Sequence, residues 1–240
     1  MEKTPGIQLI NCSKQLNGKD ALRGINLSLH TNQWISIIGP TGCGKTTLLR
    51  CIAGLEIPDS GEIYIEGKKA SSSGSLILEP HQRNLGFIFQ DLALWPHFTV
   101  FRNISFGLTI NNVKDYKNRV NDALKQFNIE ALATRYPHEL SGGQQQLVAL
   151  ARSMVLKPRL LLMDEPLSNL DFRIKKSIRK TLQQLVSGNL GLVYVTHDPK
   201  EALEESDTVI VINEGKLEFV GTPFDLTNSR NSFIKEFIDL

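Results

Sequence analysis

The residues Gly39-Pro40-Thr41-Gly42-Cys43-Gly44-Lys45-Thr46 have the spacing of a loop that cradles phosphate groups. They follow a predicted buried strand, Trp34 to Ile38, and precede a helical pattern from about Thr46 to Leu55, which is the context such a loop requires. Glycines let backbone amides curl around phosphate oxygens, and the helix N-terminus adds a partial positive charge. We therefore predict a phosphate-binding loop that ends at Thr47, in which Lys45 reaches the β- and γ-phosphates and Thr46 binds Mg²⁺.

Two adjacent acids close a second apolar run, Leu160 to Met163. Because open α/β sheets bind ligands at the carboxyl ends of their strands, Asp164 is predicted to hold Mg²⁺ through water. Glu165 is predicted to polarise the attacking water as a general base. On its own, an acidic pair after a strand is more often the solvated start of a loop, but a phosphate loop in the same chain favours the catalytic interpretation.

Two further polar side chains follow strand-like runs, and a third candidate segment opens a helix. Gln90 and His197 each come after an apolar run, although a lone residue in that place is structural more often than not. In the segment Leu140-Ser141-Gly142-Gly143-Gln144, Ser141 is a good N-cap and the glycines expose free amides to an anion. The alternative interpretation of that segment is an ordinary capped helix start.

Strand-like and helix-like segments alternate along the chain, which predicts a mainly parallel α/β core. Residues 34–38, 62–66, 160–163 and 192–196 are predicted strands, and residues 209–220 a hairpin. Residues 58–61 are predicted to form a turn and the serine-rich residues 70–75 a flexible loop. Between 91 and 157 the pattern is helical, clearest over 113–127 and 141–156. We expect one domain over 1–240, with its core at 1–90 and 158–240 and a helical insertion at 91–157.

Composition excludes several classes of protein. The 240 residues are 41% apolar and 22% charged, with a net charge of +2, so no nucleic acid partner is expected. A basic cluster is predicted to be a solvated helix face; it comprises Arg173, Lys175, Lys176, Arg179 and Lys180. Three cysteines without a metal-ligand or disulfide pattern are typical of the cytoplasm. No run approaches the ~18 apolar residues of a membrane span, so any work at a membrane is expected to pass through a partner.

In chain order these segments resemble the Walker A, Q-loop, signature, Walker B and switch-histidine motifs of ABC ATPases. Ser168-Asn169-Leu170-Asp171 also resembles the D-loop of that family, and the similarity runs from about Ile7 to Phe237. Walker A alone is shared with kinases, GTPases and helicases, whereas the Leu-Ser-Gly-Gly-Gln signature is far more specific. The resemblance implies an α/β fold with a P-loop NTPase (RecA-like) core, an antiparallel β subdomain and an inserted α-helical subdomain.

The resemblance also implies a mechanism, in which two copies pack head to tail and sandwich two ATP molecules. Ser141 and Gly143 of one copy would contact the γ-phosphate bound by Lys45 of the other. Gln90 would touch Mg²⁺ and the attacking water, His197 would hold the γ-phosphate with Glu165, and Asp171 would act across the interface. The residues assigned to ATP or Mg²⁺ are thus 39–47, Gln90, Ser141, Gly142, Gly143, Gln144, Asp164, Glu165, Asp171 and His197.

Three positions depart from the pattern of the family. Where the family stacks an aromatic residue on adenine, this chain has Leu16, which covers a base by dispersion but lacks an aromatic face. Stacking contributes about 1–3 kcal/mol per base in nucleic-acid binders, so weaker ATP binding and looser base choice both remain open for Leu16. Leu147 replaces a common arginine and is expected to alter packing or a surface ion pair, but not the reaction. Asn32 replaces a turn glycine and is expected to keep the left-handed conformation.

Residues 93–100, which follow Gln90, resemble importers of the maltose, ferric-iron, sulfate and polyamine group. The resemblance implies a homodimer on the cytoplasmic face, attached to permease subunits and, through them, to an extracytoplasmic solute-binding protein. Trp95 is expected to meet a permease helix or else to pack within the helical subdomain. An exporter ATPase and a non-transport ABC ATPase of DNA repair or translation are the alternatives. The transported substrate, and whether a C-terminal regulatory domain is naturally absent, stay open.

Overall fold

The computed structural model describes residues 6–30, 32–168 and 170–238. The strands are β1 (Ile7–Leu16), β2 (Lys19–Leu29), β3 (Trp34–Ile38), β4 (Ser60–Ile65), β5 (Lys68–Ser72), β6 (Ser75–Leu76), β7 (Leu85–Ile88), β8 (Leu160–Asp164), β9 (Gly191–Val195), β10 (Thr208–Asn213) and β11 (Lys216–Gly221). The helices are α1 (Lys45–Ala53), α2 (Val100–Ile110), α3 (Tyr116–Gln126), α4 (Gly142–Met154), α5 (Phe172–Ser187), α6 (Pro199–Glu205), α7 (Pro223–Thr227) and α8 (Ser232–Ile238).

The larger sheet has the strand order β11-β10-β3-β9-β8-β7 and is parallel except for the β10–β11 hairpin. Every residue of β3, β8 and β9 is buried. Because successive side chains of a strand point to opposite faces, Leu161 and Met163 pack toward the helices that follow β7, while Leu160 and Leu162 pack toward α1. This burial on both faces explains why the strands are almost entirely apolar in the sequence, with Ser36 of β3 and the terminal Asp164 of β8 as the exceptions.

The smaller sheet is antiparallel, with the order β2-β1-β4-β5-β6. Its apolar face shares a core with α1 and one face of the larger sheet, so α1 lies between the two sheets. Ile63 and Ile65 are both buried, as the alternation predicts. Asn32, in the turn before β3, has a φ of 69°, which confirms the left-handed conformation expected for it.

The helices α2, α3 and α4 lie within residues 91–157 and pack with α5 on the other face of the larger sheet. Leu147 is partly buried against this helical core, so its side chain contributes to packing there. Across the described ranges, no helix combines the length and the apolar character that crossing a bilayer would take.

Two predictions for the chain before β7 are wrong. Residues 70–75 are not a loop, because most of them form β5 and β6, and Ala70 and Ser71 are fully buried. The buried Arg83 donates hydrogen bonds to the Ala70 carbonyl (3.1 Å) and the Ser71 hydroxyl (2.7 Å), so small residues are needed there. The predicted turn at 58–61 is also shorter than expected, since β4 begins at Ser60.

The prediction of a solvated basic face on α5 is wrong for two of its five residues. Lys175 and Arg179 do not face solvent, because their side chains are only 24% and 14% exposed and lie against Glu201 of α6. The charge run of α5 is therefore divided between a solvated side and a side that holds a buried carboxylate.

The parallel strands bring the candidate site together at one edge. The carboxyl ends of β3, β7, β8 and β9 meet there, and they lead into the phosphate loop, Gln90, Glu165 and His197 respectively. Side chains that are far apart in the sequence, such as Thr46 and Asp164, are thus placed side by side by the topology of one sheet.

Candidate active site

The phosphate loop is held in shape by contacts from both sheets. The Lys45 Nζ donates hydrogen bonds to the carbonyl oxygens of Gly39 (2.8 Å) and Pro40 (2.9 Å). The Cys43 carbonyl accepts a hydrogen bond from the amide of Gly215, in the β10–β11 turn. Gly44 has a φ of 112°, and a Cβ there would lie 2.3 Å from the carbonyl oxygen of Ala21 in β2. The loop therefore needs glycine at this position for packing against the protein itself.

A hydroxyl and a carboxylate meet beside the loop. The Thr46 hydroxyl donates a hydrogen bond of 2.9 Å to Asp164 Oδ1. Burial raises the pKa of the Asp164 carboxyl above its ordinary value, although the Thr46 hydroxyl and the charge of Arg50 act in the opposite direction. Two hard oxygen donors in contact suit Mg²⁺, which takes one or two protein oxygens and completes its octahedron with water and phosphate.

Glu165 and His197 form the second pair of the site. The His197 Nδ1 lies 3.2 Å from Glu165 Oε2, and the two side chains are 58% and 23% exposed. Glu165 has a φ of 44°, an uncommon conformation for a residue with a side chain. Its backbone is held by two hydrogen bonds, from its own amide to the Val195 carbonyl and from the Ser168 amide to its carbonyl. Such a conformation concentrates at functional sites, where the surrounding structure sustains the strain.

An arginine of α4 anchors the segment after Gln90. Arg152 donates hydrogen bonds to the carbonyls of Leu92 (2.7 Å) and Ala93 (2.6 Å), both of which have positive φ values. Its guanidinium also lies 5.0 Å from the ring centre of Trp95. The pattern of the sequence did not reveal Arg152, because an arginine in an apolar helix has many possible partners.

One cleft of about 1090 Å³ collects most of the predicted residues. It is lined by Leu16, residues 18–21, Arg23, Thr41, Gly42, Gly44, Lys45, Thr46, Thr47, Gln90, Glu165, His197 and Glu214. The signature residues 141–144 and Asp171 do not line this cleft. Among the described residues of a single chain, they therefore lie away from the phosphate loop. Leu16 lines the cleft, and Lys19, Arg23 and Glu214 line it without having been predicted.

The signature segment and Asp171 instead form two helix starts that touch each other. Ser141 caps α4 in a reciprocal arrangement with Gln144, and Asp171 caps α5 by accepting a hydrogen bond from the Ile174 amide (3.1 Å). A Cβ at Gly143 would lie 2.6 Å from Ile174 Cγ2, so the two helices pack without space for a methyl group. Asn169, which belongs to the predicted D-loop, lies outside the described residues.

The sequence model of the ABC transporter family matches residues 22–168, more than half of the chain. The chain belongs to the ABC transporter family. It is 42% identical to a sulfate/thiosulfate import ATP-binding protein of Pectobacterium atrosepticum, with 97% of this chain and 71% of the relative aligned. It is also 42% identical to a spermidine/putrescine import ATP-binding protein of Vibrio vulnificus, with 98% of this chain and 62% of the relative aligned.

Solved structures give the same result for the fold. The dimeric structure of MJ0796, a bacterial ABC transporter cassette, superposes with a TM-score of 0.80 at 31% identity and covers 90% of this chain and 98% of its own. A post-hydrolysis state of the same cassette, bound to ADP and Pi, superposes with a TM-score of 0.79. The predicted fold class is confirmed, and the chain is an ABC-type ATP-binding and ATP-hydrolysing domain.

Proposed function

We propose that two copies of this chain form a head-to-tail dimer, in which the signature segment of each copy completes the nucleotide site of the other, and that this dimer energises import through permease subunits. The observation that supports the dimer is the set of residues that line the cleft. It contains the phosphate loop, Gln90, Glu165 and His197, whereas residues 141–144 and Asp171 lie outside it. A second copy is the simplest source of those groups, and the MJ0796 cassette is described as dimeric.

Within each site the chain's residues divide the work by chemistry. Lys45 and the loop amides bind the phosphates. Thr46 and Gln90, together with Asp164 through water, would hold the Mg²⁺, which would neutralise phosphate charge. Glu165 orients the attacking water and accepts its proton as general base. His197 would contact the γ-phosphate and, through its contact with Glu165, hold the closed geometry of the site.

The importer assignment rests on the relatives and on a second cleft. Both curated relatives are import ATP-binding proteins, one for sulfate or thiosulfate and one for polyamines. A cleft of about 550 Å³ beside the Gln90 segment is lined in part by Phe87, Phe89, Trp95 and Phe106. An aromatic-lined groove suits an amphipathic permease helix. We place the dimer on the cytoplasmic side of the membrane, bound to permease chains that receive solute from an extracytoplasmic binding protein.

The relatives also indicate that the sequence of this domain carries little information about the transported solute. An ATPase that serves an anion and one that serves polycations resemble this chain at the same 42% identity. The cargo is therefore assigned to the permease and the binding protein, and the chain supplies the motor.

Mixing two inactive variants tests the dimer. Lys45→Ala removes the phosphate contact, and Ser141→Asp keeps an N-cap at α4 but places a negative charge at the signature. In a head-to-tail dimer, each mixed dimer has one site with an intact loop and an intact signature. An equimolar mixture should therefore recover about a quarter of wild-type turnover if assembly is random and the sites are independent.

Two further results make the mixing experiment decisive. Ser141→Asn, which also caps a helix but carries no charge, should lose less turnover than Ser141→Asp, and the difference between the two variants measures the effect of the charge. A mixture that stays as inactive as its components, although an affinity tag carried by one variant alone co-purifies the other, would contradict shared sites.

A further inference from the structure

A buried carboxylate lies directly behind the switch histidine. Glu201, on α6, has a side chain that is 7% exposed. Its Oε2 accepts hydrogen bonds from the Thr196 hydroxyl (2.9 Å) and the Tyr194 hydroxyl (3.2 Å). Its Oε1 accepts a hydrogen bond from Arg179 and lies 3.6 Å from Lys175 Nζ. Both oxygens are thus bound, and the charge is balanced by two cations of one helix.

The Thr196 hydroxyl carries this network to the backbone on either side of His197. It donates to Glu201 and accepts a hydrogen bond of 3.1 Å from the Asp198 amide. Consequently the residues immediately before and after His197 are both tied to one hydroxyl. The His197 ring itself is exposed, and its only hydrogen-bond partner among the described residues is Glu165.

The other end of the network lies on the helix that begins at Asp171. Lys175 and Arg179 are one and two turns into α5, on the side that faces Glu201. The same helix packs through Ile174 against Gly143 of the signature segment. A cavity of about 40 Å³ lies between the Glu165–His197 pair and the Glu201 network. Its lining includes Glu165, His197, Lys175, Thr196 and Glu201. A cavity of this size can hold a water, for which roughly 10–15 Å³ is enough.

We propose that Glu201 is a positioning residue: through Thr196 it sets the orientation of His197, and through Lys175 and Arg179 it ties that orientation to α5. In the proposed dimer, the D-loop and the signature segment of each copy contact the other copy. Through α5 these two segments are coupled to the histidine in the nucleotide site of their own chain. This inference rests on the proposed role of His197. It adds a residue that touches neither nucleotide nor metal and that acts through the histidine.

The first test is Glu201→Gln, which keeps the shape of the side chain and an oxygen acceptor but removes the charge. We expect kcat to fall about tenfold, as when an outer partner of a functional histidine is lost, while the KM for ATP changes by less than about twofold. Glu204→Gln makes the same chemical change at an exposed position of the same helix, α6, and should leave turnover unchanged.

A second pair of variants tests the path without altering the buried charge. Thr196→Val removes the hydroxyl at constant shape and should reproduce the loss of kcat, whereas Thr196→Ser keeps the hydroxyl and should retain turnover. This pair keeps the proposal testable even if Glu201→Gln folds poorly.

The decisive measurement is a double-mutant cycle with His197→Ala. If Glu201 acts through the histidine, Glu201→Gln should change the residual turnover of His197→Ala by less than about twofold. An equal fold-loss in both backgrounds would overturn the proposal, because Glu201 would then act independently of His197. Wild-type turnover in His197→Ala would overturn the role of His197 itself and the positioning proposal with it, while the mixing experiment would still report on the shared site.

Discussion

Replacing Gly44 with alanine separates the packing role of the phosphate loop from its role in binding. The φ of 112° at this position lies outside the common range of residues with a side chain, and such strain costs about 1–3 kcal/mol. The new Cβ would also lie 2.3 Å from the Ala21 carbonyl oxygen, which belongs to a strand and cannot rotate away. Overpacking of this kind costs about 1–3 kcal/mol more.

Gly42→Ala is the matched control. Gly42 also has a positive φ, of 78°, but no atom lies within 4 Å of the point that its new Cβ would occupy, so only the conformational cost applies. Both variants reduce the freedom of the unfolded chain equally, which cancels in the comparison. The difference in the free energy of unfolding between them is therefore the steric contribution at Gly44, about 1–3 kcal/mol.

The assay is thermal unfolding followed by circular dichroism, without nucleotide. For a domain of this size 1 kcal/mol corresponds to about 2–4 °C, so Gly44→Ala should unfold about 2–12 °C below Gly42→Ala. Equal midpoints would refute the reasoning, because they would mean that β2 yields to the methyl group without cost. A loss seen only when ATP is present would refute it as well, since the contact is internal to the protein.

Two further predictions concern the acids. Glu165→Gln should retain ATP binding and lose about 10²–10⁴-fold in turnover, and should shift from monomer to dimer in light scattering with Mg²⁺ and ATP; undiminished hydrolysis would contradict the general base. Asp164→Asn should abolish turnover yet raise the free energy of unfolding at neutral pH. Burial raises the pKa of this carboxyl in the folded state, so the folded state binds its proton more tightly than the unfolded state does. The stabilisation from this bound proton is complete below the unfolded pKa and is lost as the pH rises through the folded pKa. Urea unfolding at pH 4 and pH 7 should therefore show a smaller pH dependence in Asp164→Asn than in the wild type, and an unchanged dependence would count against the prediction.

Much of the fold follows from local patterns because the parallel strands are buried on both faces. Strands β3, β8 and β9 appear as nearly continuous apolar runs, interrupted only by Ser36 in β3, so the polar residues after their carboxyl ends are recognisable as site candidates in the sequence alone. The spacing of glycines also identifies the phosphate loop. These features depend on residues that are neighbours along the chain, so they can be predicted from a single sequence.

The features that escaped prediction depend on partners far away in the sequence. The run Ala70 to Ser75 has the composition of a loop, and it is ordered because Arg83 reaches back to it from the segment before β7. Lys175 and Arg179 have the composition of a solvated face, and they are only partly exposed because both lie against Glu201, more than 20 residues later on another helix. No local pattern distinguishes a cation that faces water from one that faces a distant carboxylate.

The position of β3 in the larger sheet has a consequence for the order in which the protein can fold during synthesis. This strand, which carries the phosphate loop, pairs with β9 on one side and β10 on the other, and both neighbours are synthesised more than 150 residues later. A growing chain that has not yet reached Thr208 therefore lacks β10, one of the two strands that hydrogen-bond to β3. Early exposure of such a strand favours pairing with other chains. The region matched to the family ends at residue 168, but the unit that folds has to include the hairpin that ends at Gly221.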